Sequence, residues 1–185
     1  MPEREQRPFL KFVAARDGVA LLEFALVLPL LALMLFGSVE AGRALALENK
    51  VRATATQTAL MTVHSITLQQ ADIDELLGAA DLMFAPYNGH GEQITVSQIS
   101  IAKNGRATIM WSASSGGTPR TQGSTISVPT NLVTPSSYLI LAEVAYPFTP
   151  IGPFVPAINL TDIEWIAPLN QNCVNNIPEG VTACV

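Results

Sequence analysis

The sequence predicts an α+β protein in which a long N-terminal helix, apolar in its first half, packs by its second half on an antiparallel β-sheet. Three observations lead there. Val19 to Val39 is an almost unbroken apolar run. The residues after it keep helical spacing, with no Pro or Gly between positions 44 and 77. The second half of the chain alternates apolar and polar residues about an Asn104-Gly105 pair, a strong hairpin signal.

Composition narrows the function classes. The chain has 185 residues, 49% of them hydrophobic and only 14% charged, where an ordinary soluble domain carries about 25% charged residues. Mean hydropathy is +0.33. A disordered chain would be rich in charge and poor in apolar residues. Net charge is −5, so no basic footprint exists for a nucleic-acid partner. Two Cys cannot build a four-thiolate zinc site or a disulfide-dense miniprotein.

The first element is the apolar run. It holds 21 residues, of which 17 are Ala, Val, Leu, Met or Phe. At about 1.5 Å per residue the helix spans about 32 Å, the hydrocarbon thickness of a bilayer. Residues 19–39 therefore read as a transmembrane helix in contact with membrane lipid. Pro29 is tolerated in such a helix and would kink it. Arg4, Arg7, Lys11 and Arg16 precede the run and Arg43, Lys50 and Arg52 follow it closely, a mild asymmetry that becomes clear over the whole chain, whose last 133 residues hold only Lys103, Arg106 and Arg120. The positive-inside rule then makes 1–18 a cytoplasmic leader and puts the C-terminal part outside. A cleaved secretory signal competes, because Ala44-Leu45-Ala46 has the small-x-small form. The run exceeds the usual 7–15-residue core of a signal peptide, and Glu40 and Arg43 intervene, which favours an anchor.

Residues 40–70 continue the helix. Leu45, Leu47, Val51, Ala55, Ala59, Val63 and Ile66 recur at helical intervals. Five threonines between 54 and 67 keep its propensity middling, so a break near residue 65 is consistent with the pattern. Residues 71–185 form an extracytoplasmic α+β domain. Asp72, with an acid three positions later, reads as the N-cap of a second helix whose apolar face is Ile73, Leu76, Leu77 and Ala80. Strands follow over 93–102 and 106–114. Ile94 and Val96 are out of phase with Ile99 and Ile101, which a bulge near Ser97-Gln98 would explain. Ala107, Ile109, Trp111 and Ala113 alternate cleanly. A third strand covers 138–146, ended by Pro147, and a last one 158–167, ahead of an Asn- and Pro-rich tail. Cys173 and Cys184 in that tail would close a short disulfide loop outside the cell, or remain two thiols.

Glu23 lies five residues into the apolar run. A carboxylate inside a membrane helix costs about 2.5–3.5 kcal/mol at the centre, less near an end, and calls for a partner. Near the cytoplasmic end it can snorkel to the interface. Its neighbour Gly18 offers another account. A cut between Gly18 and Val19 would create an α-ammonium four residues before the Glu23 carboxylate, the pairing that a low-dielectric setting demands.

Gly18-Val19-Ala20-Leu21-Leu22-Glu23 resembles the cleavage site of type IV prepilins, and the stretch from Arg16 to Pro29 resembles the N-terminus of TadE-like proteins, minor pseudopilins of the tight-adherence (Tad) pilus. Trp111-Ser112 and the segment Leu141 to Pro150 resemble that family more loosely. The resemblance implies a pilin-like fold in the bacterial inner membrane. It implies processing at Gly18, Val19 and Glu23 by a prepilin peptidase, and subunit assembly through Glu23 and Phe24 with other pilins or pseudopilins. Major Tad pilins usually carry tyrosine after the glutamate. Phe24 departs from that and favours a minor component.

No catalytic set is visible, so the protein is expected not to be an enzyme and to take no metal, cofactor or small-molecule substrate. His64 and His90 lack neighbours at metal spacing, and neither a nucleophile elbow nor a phosphate loop occurs. Asp72, Asp74 and Glu75 lack the glycine of a calcium loop. Glu143 reads as a recognition residue or as a paired strand acid. The second functional reading is an unprocessed anchor that displays a binding module.

Overall fold

The architecture comes from a computed structural model that describes residues 16–65, 67–87, 91–152, 156–168 and 173–176. Most of the leader, His90 and Cys184 lie outside the described residues. Two compact units are distinguished, Met1–Arg43 and Ala44–Val185.

Among the described residues of the first unit, one helix, α1 (Arg16–His64), supplies the regular structure, and it continues into the second. It runs through Pro29. In the first unit its apolar side chains are bare: Leu21 is 72% exposed, Leu26 73% and Phe36 66%. These are values for side chains that no described residue covers, and lipid or another chain can cover them. α1 is the one described helix long and apolar enough to cross a membrane. By its length and composition this N-terminal helix is suited to single-pass membrane anchoring. At the end of the apolar run, Glu40 and Arg43 form an i,i+3 ion pair at 3.3 Å.

In the second unit the helical spacing has its predicted consequence from Leu47 onward, whereas Leu45 is 61% exposed and Ile66 lies outside the described residues. Leu47, Val51, Ala55, Ala59 and Val63 are all at most 2% exposed and join one core with the sheet. α1 stops at His64, at the anticipated break and short of Gln70. The following residues form a two-residue strand, β1 (Thr67–Leu68). The threonines explain their own positions. Thr54, Thr58 and Thr62 are fully buried, and the Thr62 hydroxyl donates back to the Thr58 carbonyl at 2.8 Å.

The second helix, α2 (Gln70–Leu82), buries Ile73, Leu76, Leu77 and Ala80 as its spacing predicts. Its start is three residues earlier than expected, with Gln69 as the N-cap. Asp72 is not the N-cap but the third helical residue, and its carboxylate accepts the Gln69 backbone N–H at 2.8 Å. The acid thus serves the other half of the capping box. Lys50 of α1 donates to the Met83 and Ala85 carbonyls, both at 3.0 Å, satisfying acceptors at the α2 C-terminus.

The sheet contains β2 (Gln93–Ile101), β3 (Ala107–Ser115), β4 (Ser137–Phe148) and β5 (Ile158–Ile166), all antiparallel, in the order β3-β2-β4-β5. Gly105, at φ +78°, makes the β2–β3 turn, and the Asn104 side chain accepts the Arg106 N–H. Two expectations change. The phase difference in β2 is not a bulge of that strand, whose pairing with β4 is continuous from Gln93 to Ile101. Both faces of β2 are buried. Ile94 and Val96 meet α1, while Ile99 and Ile101 belong to a second cluster closed by Ile126, Val128, Leu132 and Val133. The irregularity is in β3, where Gln98 faces Trp111 but Ile99 faces Ile109, leaving Met110 as the extra residue. Hence Trp111 and Ile109, two apart in sequence, point into different cores.

Pro147 is also reassigned. It lies within β4, paired with Asn159 of β5, rather than ending the strand. β2 pairs with β4 only as far as Ala145, so beyond that point β4 has one neighbour and a missing N–H leaves no ladder unfilled. A second, parallel sheet joins β1 to β6 (Asn175–Asn176), with Thr67 opposite Asn175.

Candidate functional site

Two regions carry the residues singled out in the sequence. The first is the start of α1. Gly18, Val19, Glu23 and Phe24 are all exposed there. Val19 and Glu23 are one helical turn apart, so they share a face. A Cβ at Gly18 would meet nothing within 4 Å. No described residue requires glycine at that position, where in a helix it costs about 1 kcal/mol relative to Ala. The same openness holds at Gly37 and Gly42.

The second region is the outer face of the sheet, turned away from α1. Thr95 and Ser114 share a hydrogen bond at 2.8 Å, and Ser97 and Ser112 one at 2.9 Å, giving β2 and β3 a polar row there. Glu143 stands beside that row on β4, opposite Thr95 and Ile163. It is a paired acid. The Arg120 guanidinium binds it through Nε and Nη2, both at 2.6 Å. The Glu143 hydrogen bond holds the Arg120 guanidinium above its already high ordinary pKa, against a smaller opposing effect of burial. Arg120 arrives on a loop anchored at Gly116, whose φ is +70° and where a Cβ would collide with the Glu92 carbonyl oxygen. The Arg120 N–H also donates to the Ser112 hydroxyl at 2.9 Å. Between loop and sheet lies an open groove of about 660 Å³.

The tail is held at a third place, which sequence reasoning missed. Gln98 is fully buried. Its Oε1 accepts the Val174 N–H at 2.9 Å, and its Nε2 donates to the Cys173 sulfur at 3.2 Å. Trp111 Nε1 donates to the Val174 carbonyl at 3.3 Å. The one available signal was Gln98 itself, a polar residue in phase with Ile94 and Val96. Cys173 is buried at this clamp, while its proposed partner Cys184 lies outside the described residues. His64 is exposed and its Nδ1 is 2.6 Å from the Leu60 carbonyl. Among the described residues no three His, Cys, Asp or Glu side chains gather where they could hold a metal.

No curated protein and no solved structure matches the chain. A family model described as TadE-like protein matches residues 18–60, from the glycine at the basic-to-apolar boundary to the part of α1 that enters the core, so the chain is similar to that family over this N-terminal segment.

Proposed function

We propose that the protein is a minor pseudopilin, supporting assembly of a Tad-type pilus in a structural, non-enzymatic role. The observation that carries this reading is the TadE-like match beginning at Gly18 itself, on a helix whose apolar half is left exposed by the described residues. The basic leader keeps the N-terminus in the cytoplasm, and the second unit lies beyond the inner membrane. A prepilin peptidase cuts between Gly18 and Val19. The new Val19 ammonium then requires a carboxylate in a setting of low dielectric, and Glu23 of a neighbouring chain supplies it. That pair sets the register in which the exposed helices of pilins or pseudopilins pack, with Phe24 at the same contact. Outside the membrane, Cys173 and Cys184 pair and close the tail, contributing about 3 kcal/mol in the chain-entropy account.

N-terminal sequencing of the membrane-purified protein tests the reading. A chain beginning at Val19 is the expected result. A chain beginning at Met1 overturns processing and favours the unprocessed binding module. A start at Leu47 identifies a cleaved secretory signal instead.

A further inference from the structure

We propose that the free edge of β5 is a docking site for an extended segment of another envelope protein, one that carries Lys or Arg at alternate positions and joins the sheet as a fifth strand. The two edges of the sheet differ. Along β3, residues 123–126 cover part of the edge: Ile109 N–H donates to the Ser124 carbonyl at 2.9 Å, and Ile126 N–H to the Ala107 carbonyl at 3.2 Å. Along β5, nine residues long, no backbone hydrogen bond from the described residues reaches the outer side. Such an edge presents unpaired N–H and C=O groups in the spacing that another strand needs.

Two hollows flank this edge at the same residues. The outer groove beside Arg120 and Glu143 is lined by Thr161, Asp162 and Ile163 of β5. On the helix side a second groove of about 320 Å³ lies between Glu48, Val51 and Arg52 of α1 and residues 159–162 of β5. An added strand points its side chains alternately to the two faces, so successive residues would enter the two grooves in turn.

Charge selects the occupant. Asp162 and Glu164 stand opposite Val144 and Ala142, two residues that belong to the core shared with α1, so both acids are on the helix face of the edge strand. Neither has an ion pair among the described residues. The helix-side groove therefore gathers Glu48 and Asp162 against Arg52 alone. A second copy of this chain is a poor occupant. Antiparallel self-pairing centred on Asp162 sets that carboxylate against its own copy, and pairing centred on Ile163 sets Asp162 against Glu164. Like charges directly opposite each other destabilise a sheet. The same acids attract cations at a two-residue spacing. The outer groove, with Arg120 already tied to Glu143 and the hydroxyls of Thr118, Thr121 and Ser124 around it, suits small polar side chains.

The inference requires that the second unit work among other proteins, but not that the leader be cut. The test uses the full chain in a non-ionic detergent and a fluorescent, end-capped nine-residue peptide of alternating lysine and threonine, followed by anisotropy and by hydrogen exchange of residues 158–166. Saturable binding is expected, with slowed exchange along β5. Methylating the peptide's backbone nitrogens on its pairing side, or replacing its lysines by glutamates, weakens binding at least tenfold. The milder variant D162N/E164Q weakens it at least threefold, and D162K/E164K transfers the preference to the glutamate peptide. Absence of binding, binding indifferent to backbone methylation, or binding indifferent to D162N/E164Q overturns the proposal. So does self-association through β5, seen as a dimer that D162N/E164Q strengthens. Because N-terminal sequencing reports only on cleavage, this result and that one fail separately.

Discussion

Gln98 shows how one side chain fixes a distant segment. It lies on the strand face that meets α1, where its neighbours in phase are Ile94 and Val96, and a buried amide there must satisfy both ends. It does so on the backbone and sulfur of residues 173 and 174. Gln98→Ala leaves the Val174 N–H buried and unpaired, and is expected to cost about 2–3 kcal/mol. Urea denaturation measures the loss, and limited proteolysis should show earlier cutting near the tail. The opposite sign is expected at Thr54 and Thr58. Both hydroxyls are buried with no hydrogen-bond partner among the described residues. Thr58→Val keeps the shape and removes the unsatisfied group, so a gain of about 1 kcal/mol is expected in the same titration. Glu23 is a residue of another kind, because its cost falls on the membrane and not on the fold. Glu23→Ala should leave insertion and cleavage intact while piliation falls. Unchanged piliation would remove the assembly role.

At the scale of elements, α1 has two halves with different solvents. Its first half exposes Leu, Val and Phe all round, and its second half buries one stripe. The stripe relies on small residues: Ala55 and Ala59 are 0% exposed between Val51 and Val63. A larger side chain has no room there. Ala59→Leu is expected to destabilise the second unit by about 1–3 kcal/mol through overpacking, measurable as a lower thermal midpoint. The sheet is likewise two-sided. β2 is buried on both faces, so its sequence carries two apolar phases, which from sequence alone look like one strand with a bulge. The extra residue was in the partner strand, at Met110, where clean alternation of Ala107, Ile109, Trp111 and Ala113 gave no sign of it. Side-chain alternation reports the faces of a strand only while the pairing stays regular.

At the scale of the whole molecule, the described part of the first unit is an apolar helix and the second unit holds both hydrophobic clusters. The earliest buried core residue is Leu47, beyond the boundary at Arg43. A chain beginning at Ala44 is therefore expected to be soluble without detergent and to keep the near-ultraviolet circular dichroism of Trp111. Aggregation of that fragment, or loss of that signal, would show that the apolar half also contributes to the fold.

The sequence by itself determined the anchor, the helical continuation, the hairpin turn at Asn104-Gly105 and the resemblance at Gly18 to Pro29. These features are local, written in runs, periods and short spacings that need no distant partner. Tertiary structure alone decided what depends on two remote segments meeting. It gave Glu143 its Arg120, gave Gln98 its tail, placed the extra residue in β3, paired β1 with β6 and set β5 at the edge of the four described strands. Each of these turns on strand order and register, which arise when hydrophobic faces and hydrogen-bonding edges far apart in the chain are satisfied together.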